Sequence, residues 1–157
     1  MTRWIVGWML VLAVTPAMAE SVRVAVASNF LAPLEQIADA YSAQGGAALQ
    51  ISAGATGQHY AQIVNGAPYD VFLAADQARP ERLAEEGYAR PESRFSYAVG
   101  RLVLWAGANA SLPDDGLAGL AGHPMRRLAI ANPELAPYGL AARQTLEATG
   151  QWSALSD

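Results

Sequence analysis

Val22-Arg23-Val24-Ala25-Val26-Ala27-Ser28-Asn29 is the stretch on which the fold turns. Its first six residues are short, mostly apolar and partly β-branched, which predicts a buried strand over Val22–Ala27. Directly afterwards Leu31, Leu34, Ile37, Ala38 and Tyr41 recur at helical spacing, and Gly45-Gly46 ends that helix. A strand that feeds straight into a helix is the first half of a crossover unit, so the next strand is expected to run parallel to it.

Reading outward, the alternation continues. Leu49 to Ala53 is a second strand, and Gly54-Ala55-Thr56-Gly57 a glycine-bearing turn. Tyr60, Ile63 and Val64 mark a short helix that stops at Asn65-Gly66. Val71 to Ala74 is a third strand, and Asp76 is placed to cap a helix over Arg79–Glu86. Beyond it the pattern predicts extended segments at Phe95–Val99, Leu102–Ala106 and Leu128–Ala131. It also predicts a turn at Asp114-Asp115-Gly116, a short helix over Leu117–Ala121 and a longer one from Tyr138 to Thr149. The fold class is therefore α/β with a mainly parallel sheet.

Three strand-to-helix junctions share a chemistry. Ser28 and Asn29 follow the first strand, Ala55, Thr56 and Gly57 the second, and Pro137-Tyr138-Gly139 opens the last long helix. Helix starts carry unpaired backbone N–H groups and a partial positive charge, and the carboxyl edge of a parallel sheet is where ligands bind. Ser, Asn and Thr side chains add donors without formal charge. Together they form a candidate oxyanion site. The same residues also serve as ordinary helix caps, and spacing alone does not identify a ligand.

The ends and the composition narrow the class further. Arg3, the apolar run Trp4–Val14, Pro16 and Ala17-Met18-Ala19 read as a secretory signal peptide over residues 1–19, cleaved after Ala19. Eleven apolar residues are too few for a membrane span, which needs about 20. There is no cysteine, so neither a disulfide framework nor a lipid-modified cysteine is available. The net charge is −4, and −5 once Arg3 is removed with the leader, which gives nucleic acid or an anionic membrane no basic surface to bind. The remaining 138 residues suffice for one domain, or for one lobe and part of another.

An enzyme is not expected. No nucleophile elbow, phosphate-binding loop, metal-spaced His/Cys set or paired catalytic carboxylate occurs. His59 is expected to be an exposed polar residue and His123 to sit in a turn before Pro124. Glu85-Glu86 and Asp114-Asp115 read as solvated positions, and Arg126-Arg127 as a surface pair. Trp105 is expected in the core and Trp152 against a helix end.

The chain resembles the periplasmic molybdate-binding proteins of ABC transporters. The resemblance rests on Val24-Ala25-Val26-Ala27-Ser28-Asn29-Phe30, Ser52-Ala53-Gly54-Ala55-Thr56-Gly57, Tyr60-Ala61-Gln62-Ile63, Gly66–Asp76, Arg101-Leu102-Val103-Leu104-Trp105 and Ala129–Gly139, in that order. It implies a periplasmic-binding-protein-like, type II architecture of two α/β lobes closing on a tetrahedral oxyanion. A first lobe would occupy residues 20–98 and a partial second lobe residues 99–157. The implied ligand contacts are Ser28, Asn29, Ala55, Thr56 and the backbone N–H of Tyr138, with molybdenum present only as the oxyanion.

The resemblance further implies no cofactor, a monomer in the periplasm, and delivery of molybdate or tungstate to the membrane permease. The family pattern runs on past Trp152–Asp157, so an incomplete second lobe and weakened binding are expected. The alternatives are a carrier of another tetrahedral oxyanion such as sulfate, a carrier of iron or an organic solute, and a fragment that binds nothing.

Overall fold

The computed structural model describes residues 21–125 and 127–156. The expected signal peptide and Arg126 lie outside them. Among the described residues, three strands, β1 (Val22–Ala27), β2 (Leu49–Gly54) and β3 (Val71–Leu73), form one parallel sheet in the order β2-β1-β3. Five α-helices accompany them: α1 (Leu31–Ala43), α2 (Thr56–Val64), α3 (Ala78–Glu85), α4 (Pro137–Ala148) and α5 (Trp152–Leu155). Short 3₁₀ turns occupy Ser28–Phe30, Pro91–Ser93 and Gly116–Gly122.

The alternation of valine and alanine in β1 sorts the two faces of the sheet. Val24 pairs with Ile51 and with Val71, and Val26 with Leu73, so these side chains share one face. That face packs Val24 and Val26 against Leu34 of α1, with Phe30, Leu31, Ile51 and Leu73 around them. Ala25 pairs with Ser52 and Phe72, which define the opposite face. There the small alanines let α2 approach, and the His59 ring meets Phe72 and Tyr69 edge-on at centroid distances of 6.3 and 5.7 Å. Covering both faces is what a central parallel strand requires, and Val24 to Ala27 are buried throughout.

The strand order also decides where a ligand could sit. From β1 the chain crosses α1 to β2 on one side, and from β2 it crosses α2 back past β1 to β3. With right-handed crossovers the two helices fall on opposite faces, as observed, and a crevice opens beyond the carboxyl ends of β1 and β3.

Three of the expected extended segments do not become strands. Phe95–Val99, Leu102–Ala106 and Leu128–Ala131 join no ladder among the described residues. A strand is made by its partner, and these segments meet none. Apolar side chains consequently stand in solvent: Phe95 is 76% exposed, Val103 83% and Trp105 81%. The expectation that Trp105 is a core residue is therefore wrong. Trp152 does pack at a helix end, with the Arg143 guanidinium 5.3 Å from its ring centroid.

Beyond its hydrogen-bonded ladder, the sheet is tied by an ion pair between Arg23 and Asp70. Arg23 donates from Nη2 to Asp70 Oδ1 at 3.0 Å, and from Nε and its backbone N–H to Oδ2 at 3.1 and 2.8 Å, joining β1 to the lead-in of β3. The Arg23 side-chain bond, then the backbone bond, hold the Asp70 carboxyl below the usual carboxylate range. Its contribution to stability is thus complete above the unfolded-state value of about 3.9, and is lost as pH falls through the lower folded value. Asp70→Asn is predicted to lower the urea midpoint at neutral pH, with the gap to wild type closing as the pH is taken down toward about 2. A gap that stays constant across the titration contradicts this assignment.

Candidate functional site

Each strand of the sheet ends at a helix or turn start, and those starts meet at its carboxyl edge. After β1, Ser28 and Asn29 enter a 3₁₀ turn that continues into α1, and both are exposed. After β2, Ala55 is the N-cap of α2 in extended conformation and Thr56 is its first residue. Pro137 opens α4, so Tyr138 stands in the first turn of that helix.

Backbone bonds draw the later segment against the sheet. Gly57 donates its N–H to Leu135 O at 2.9 Å, and Arg79 Nη2 reaches Glu134 O at 3.4 Å. Gly139 makes a second close approach: a Cβ there would lie 2.2 Å from Ala131 O, so only glycine lets α4 seat on the Ala131-Asn132 backbone. Asn132 folds its own turn by accepting from Glu134 N at Oδ1, 2.8 Å away. Asn29 and Tyr138 line the same cleft of about 1260 Å³, together with Phe30, Tyr97, Asp76, Arg90 and Arg94, whereas Ser28, Ala55 and Thr56 are not among its lining residues.

The electrostatics of this edge are those of unpaired dipoles. Among the described residues, none of the N–H groups of Ser28, Asn29, Ala55, Thr56 and Tyr138 has a backbone acceptor outside its own element. The first turn of a helix supplies no acceptor within it either. Ser28 and Asn29 also make no side-chain hydrogen bond among the described residues. The carboxylate at this edge, Asp76, is neutralised: it is ion-paired with Arg79 and accepts from the Arg79 backbone N–H at 3.0 Å. The N-cap of α3 is Gln77 rather than Asp76 as expected, but Asp76, one residue earlier, still accepts from an N–H of the first turn.

Thr56 has a second role. It is fully buried, and its Oγ1 accepts from the Ala75 N–H at 3.0 Å, joining α2 to the turn after β3. That bond leaves its hydroxyl hydrogen free to donate. Tyr97 closes the far side. Its ring lies 4.7 Å from that of Phe30, and its hydroxyl donates to Ala74 O at 2.7 Å. Burial, with a smaller effect from Tyr138, raises the Tyr97 phenol above the ordinary tyrosine range, so it remains a donor.

One sequence expectation fails here. His59 is not an exposed polar residue; it is 2% exposed and lies beneath the site. The signal was present in its spacing. Thr56, His59 and Ile63 stand at i, i+3 and i+7, the inward stripe of α2. Tyr97 was likewise missed, because its partners Phe30 and Ala74 lie far away in sequence, and so was Arg79, whose ion-pair partner Asp76 is near but whose contact with Glu134 O is distant. His123 does lie at a turn, its Nε2 3.0 Å from Ser111 O.

Thr56→Val is predicted to leave the Ala75 N–H without its acceptor and to cost about 1–3 kcal/mol in urea denaturation, whereas Thr56→Ser retains wild-type stability within about 1 kcal/mol. Equal losses in the two variants would place the contribution in the methyl group instead.

Comparison with known proteins agrees with this geometry. Residues 22–157 match the model of the bacterial extracellular solute-binding protein family. The chain is 48% identical over 134 residues to the molybdate-binding protein ModA of Azotobacter vinelandii, covering 85% of this chain and 53% of that protein. It is 42% identical over 140 residues to the molybdate-binding protein ModA of Rhodobacter capsulatus, covering 89% of this chain and 55% of the relative. The solved structure of the Azotobacter vinelandii periplasmic molybdate-binding protein superposes with a TM-score of 0.79 at 47% identity, over 86% of this chain and 58% of that one. The chain thus spans about half the length of the curated relatives it matches. It belongs to the bacterial extracellular solute-binding protein family.

Proposed function

We propose that this chain captures molybdate, or its near-equivalent tungstate, outside the cytoplasm and presents it to the membrane permease of an ABC transporter. Ser28, Asn29, Ala55 and Thr56 and the backbone N–H of Tyr138 supply the hydrogen bonds, and no cofactor takes part. Residues 1–19 direct export to the periplasm and are removed after Ala19. Residues 20–98 form a first lobe and residues 99–157 contribute to a second, and the protein acts as a monomer. Among the described residues, no helix is long and apolar enough to cross a membrane.

The observation that carries this reading is the set of N–H groups without acceptors outside their own elements at the three junctions. Molybdate near neutral pH is an unprotonated dianion and can only accept hydrogen bonds. A lining of donors alone complements it, whereas a phosphate that keeps a proton also requires an acceptor. Helix starts add partial positive charge, worth about 0.3–1 kcal/mol each where exposed and more in a dry site. The relatives named as molybdate-binding proteins support the same ligand class. Uncharged donors also avoid a permanent ion pair, which suits a carrier that must release its cargo.

Sulfate is the second oxyanion that only accepts, so a lining of donors does not exclude it, and discrimination falls to the size of the cavity. Isothermal titration of the purified protein is predicted to give affinities for molybdate and tungstate within about threefold of each other, sulfate weaker by at least about tenfold, and phosphate weakest. Phosphate binding as tight as molybdate would overturn the donor-only reading.

A further inference from the structure

We infer that His59 is a positioning residue: it locks the start of α2 to the end of β1 and so fixes the spacing between two donor sets, Ser28-Asn29 and Ala55-Thr56. The functional consequence rests on the oxyanion reading above, while the structural coupling stands apart from it.

His59 lies three residues after Thr56 and is buried between helix and sheet. Its Nε2 is 3.2 Å from Val26 O, two residues before Ser28. Its Nδ1 is 3.1 Å from the side-chain amide of Gln62. The Tyr69 hydroxyl meets that same amide atom at 3.2 Å and Ser52 Oγ at 3.1 Å. The proton arrangement follows from what each group can do. Val26 O only accepts, so Nε2 carries the hydrogen of this contact. Gln62 Oε1 is the shared point of contact for the ring Nδ1 and the Tyr69 hydroxyl, which also reaches Ser52 Oγ. A continuous chain of hydrogen-bonding contacts runs from Ser52 of β2 through Tyr69, Gln62 and His59 to Val26 of β1.

The neighbouring backbone is shaped to this ring. A Cβ on Gly54 would sit 2.9 Å from His59 Nε2 and 3.2 Å from Cε1, so the last residue of β2 has to be glycine for the imidazole to reach Val26. A side chain that merely filled the core would need neither the two ring bonds nor this clearance. The link therefore joins the strand that leads into Ser28 to the helix that starts at Thr56.

The test uses the whole chain in three forms: wild type, His59→Leu, which fills the volume without the bonds, and His59→Gln, whose amide can still donate toward Val26. Two protected amides report the junctions: Leu31 N–H, bonded to Ser28 O, and Gly57 N–H, bonded to Leu135 O. Hydrogen exchange of both is expected to speed by about tenfold in His59→Leu and to recover in His59→Gln. The Glu86 amide, bonded to Arg82 O in α3, is expected to stay unchanged. A change at Gly57 alone, or equal acceleration of all three, overturns the coupling.

Should His59→Leu fail to fold, Gly54→Ala displaces the ring with one methyl and must speed the same two reporters. Titration then reads the function: His59→Leu is expected to bind molybdate about tenfold more weakly and to lose part of its molybdate-over-sulfate preference, and His59→Gln to restore both. If the wild type binds neither anion, the oxyanion reading fails, and the exchange pattern alone decides the positioning role.

Discussion

Parallel pairing of β1 with both β2 and β3 is the constraint from which the rest follows. Parallel strands end on one edge, so the residues that come after them are forced into one neighbourhood whatever their distance in sequence. Because the order is β2-β1-β3, the helices leave that edge in opposite directions and cannot fill it. What remains there is the set of backbone N–H groups that no helix can satisfy from within. The bond from Gly57 to Leu135 brings the start of α4 to the same edge, 2.9 Å across, and completes the convergence.

The donor groups of Ser28, Asn29, Ala55, Thr56 and Tyr138 carry no formal charge. A cation would bind any anion more strongly, but would do so without regard to protonation and would hold the cargo through an ion pair. Here Arg79 is engaged by Asp76 and by Glu134 O, so its charge is spent within the protein. Hydrogen-bond donors on backbone and on short side chains then discriminate by the number of lone pairs the ligand offers. Such donors select best when their spacing is fixed. Two links beneath the surface supply that rigidity: the Thr56 hydroxyl holds the turn after β3, and His59 holds β1.

The first half of the chain was legible in its sequence because its signals are local. Val22–Ala27 is a strand as expected, β2 and β3 differ from expectation by one residue at an end, and α1 begins at Leu31 as its spacing requires. The family resemblance and the match to residues 22–157 agree. The later segments were misread for one physical reason. Phe95–Val99 and Leu102–Ala106 carry the residues of strands, but a strand exists only where another chain segment accepts its hydrogen bonds. Trp105 followed the same error, since an apolar run was equated with a buried one. His59 erred in the opposite sense: a histidine is polar by composition, yet its two ring nitrogens can be satisfied inside, and the partners that do so, Val26 and Gln62, become visible only once α2 is laid on the sheet.

Crystals of the protein soaked in tungstate and measured for anomalous scattering at the tungsten edge test the central claim most directly, because the heavy atom locates itself. One dominant peak is expected at the carboxyl edge of the sheet, within hydrogen-bond reach of Ser28, Asn29, Ala55, Thr56 and the Tyr138 N–H through its oxygens. A dominant peak against surface arginines, with nothing at the three helix starts, would contradict it.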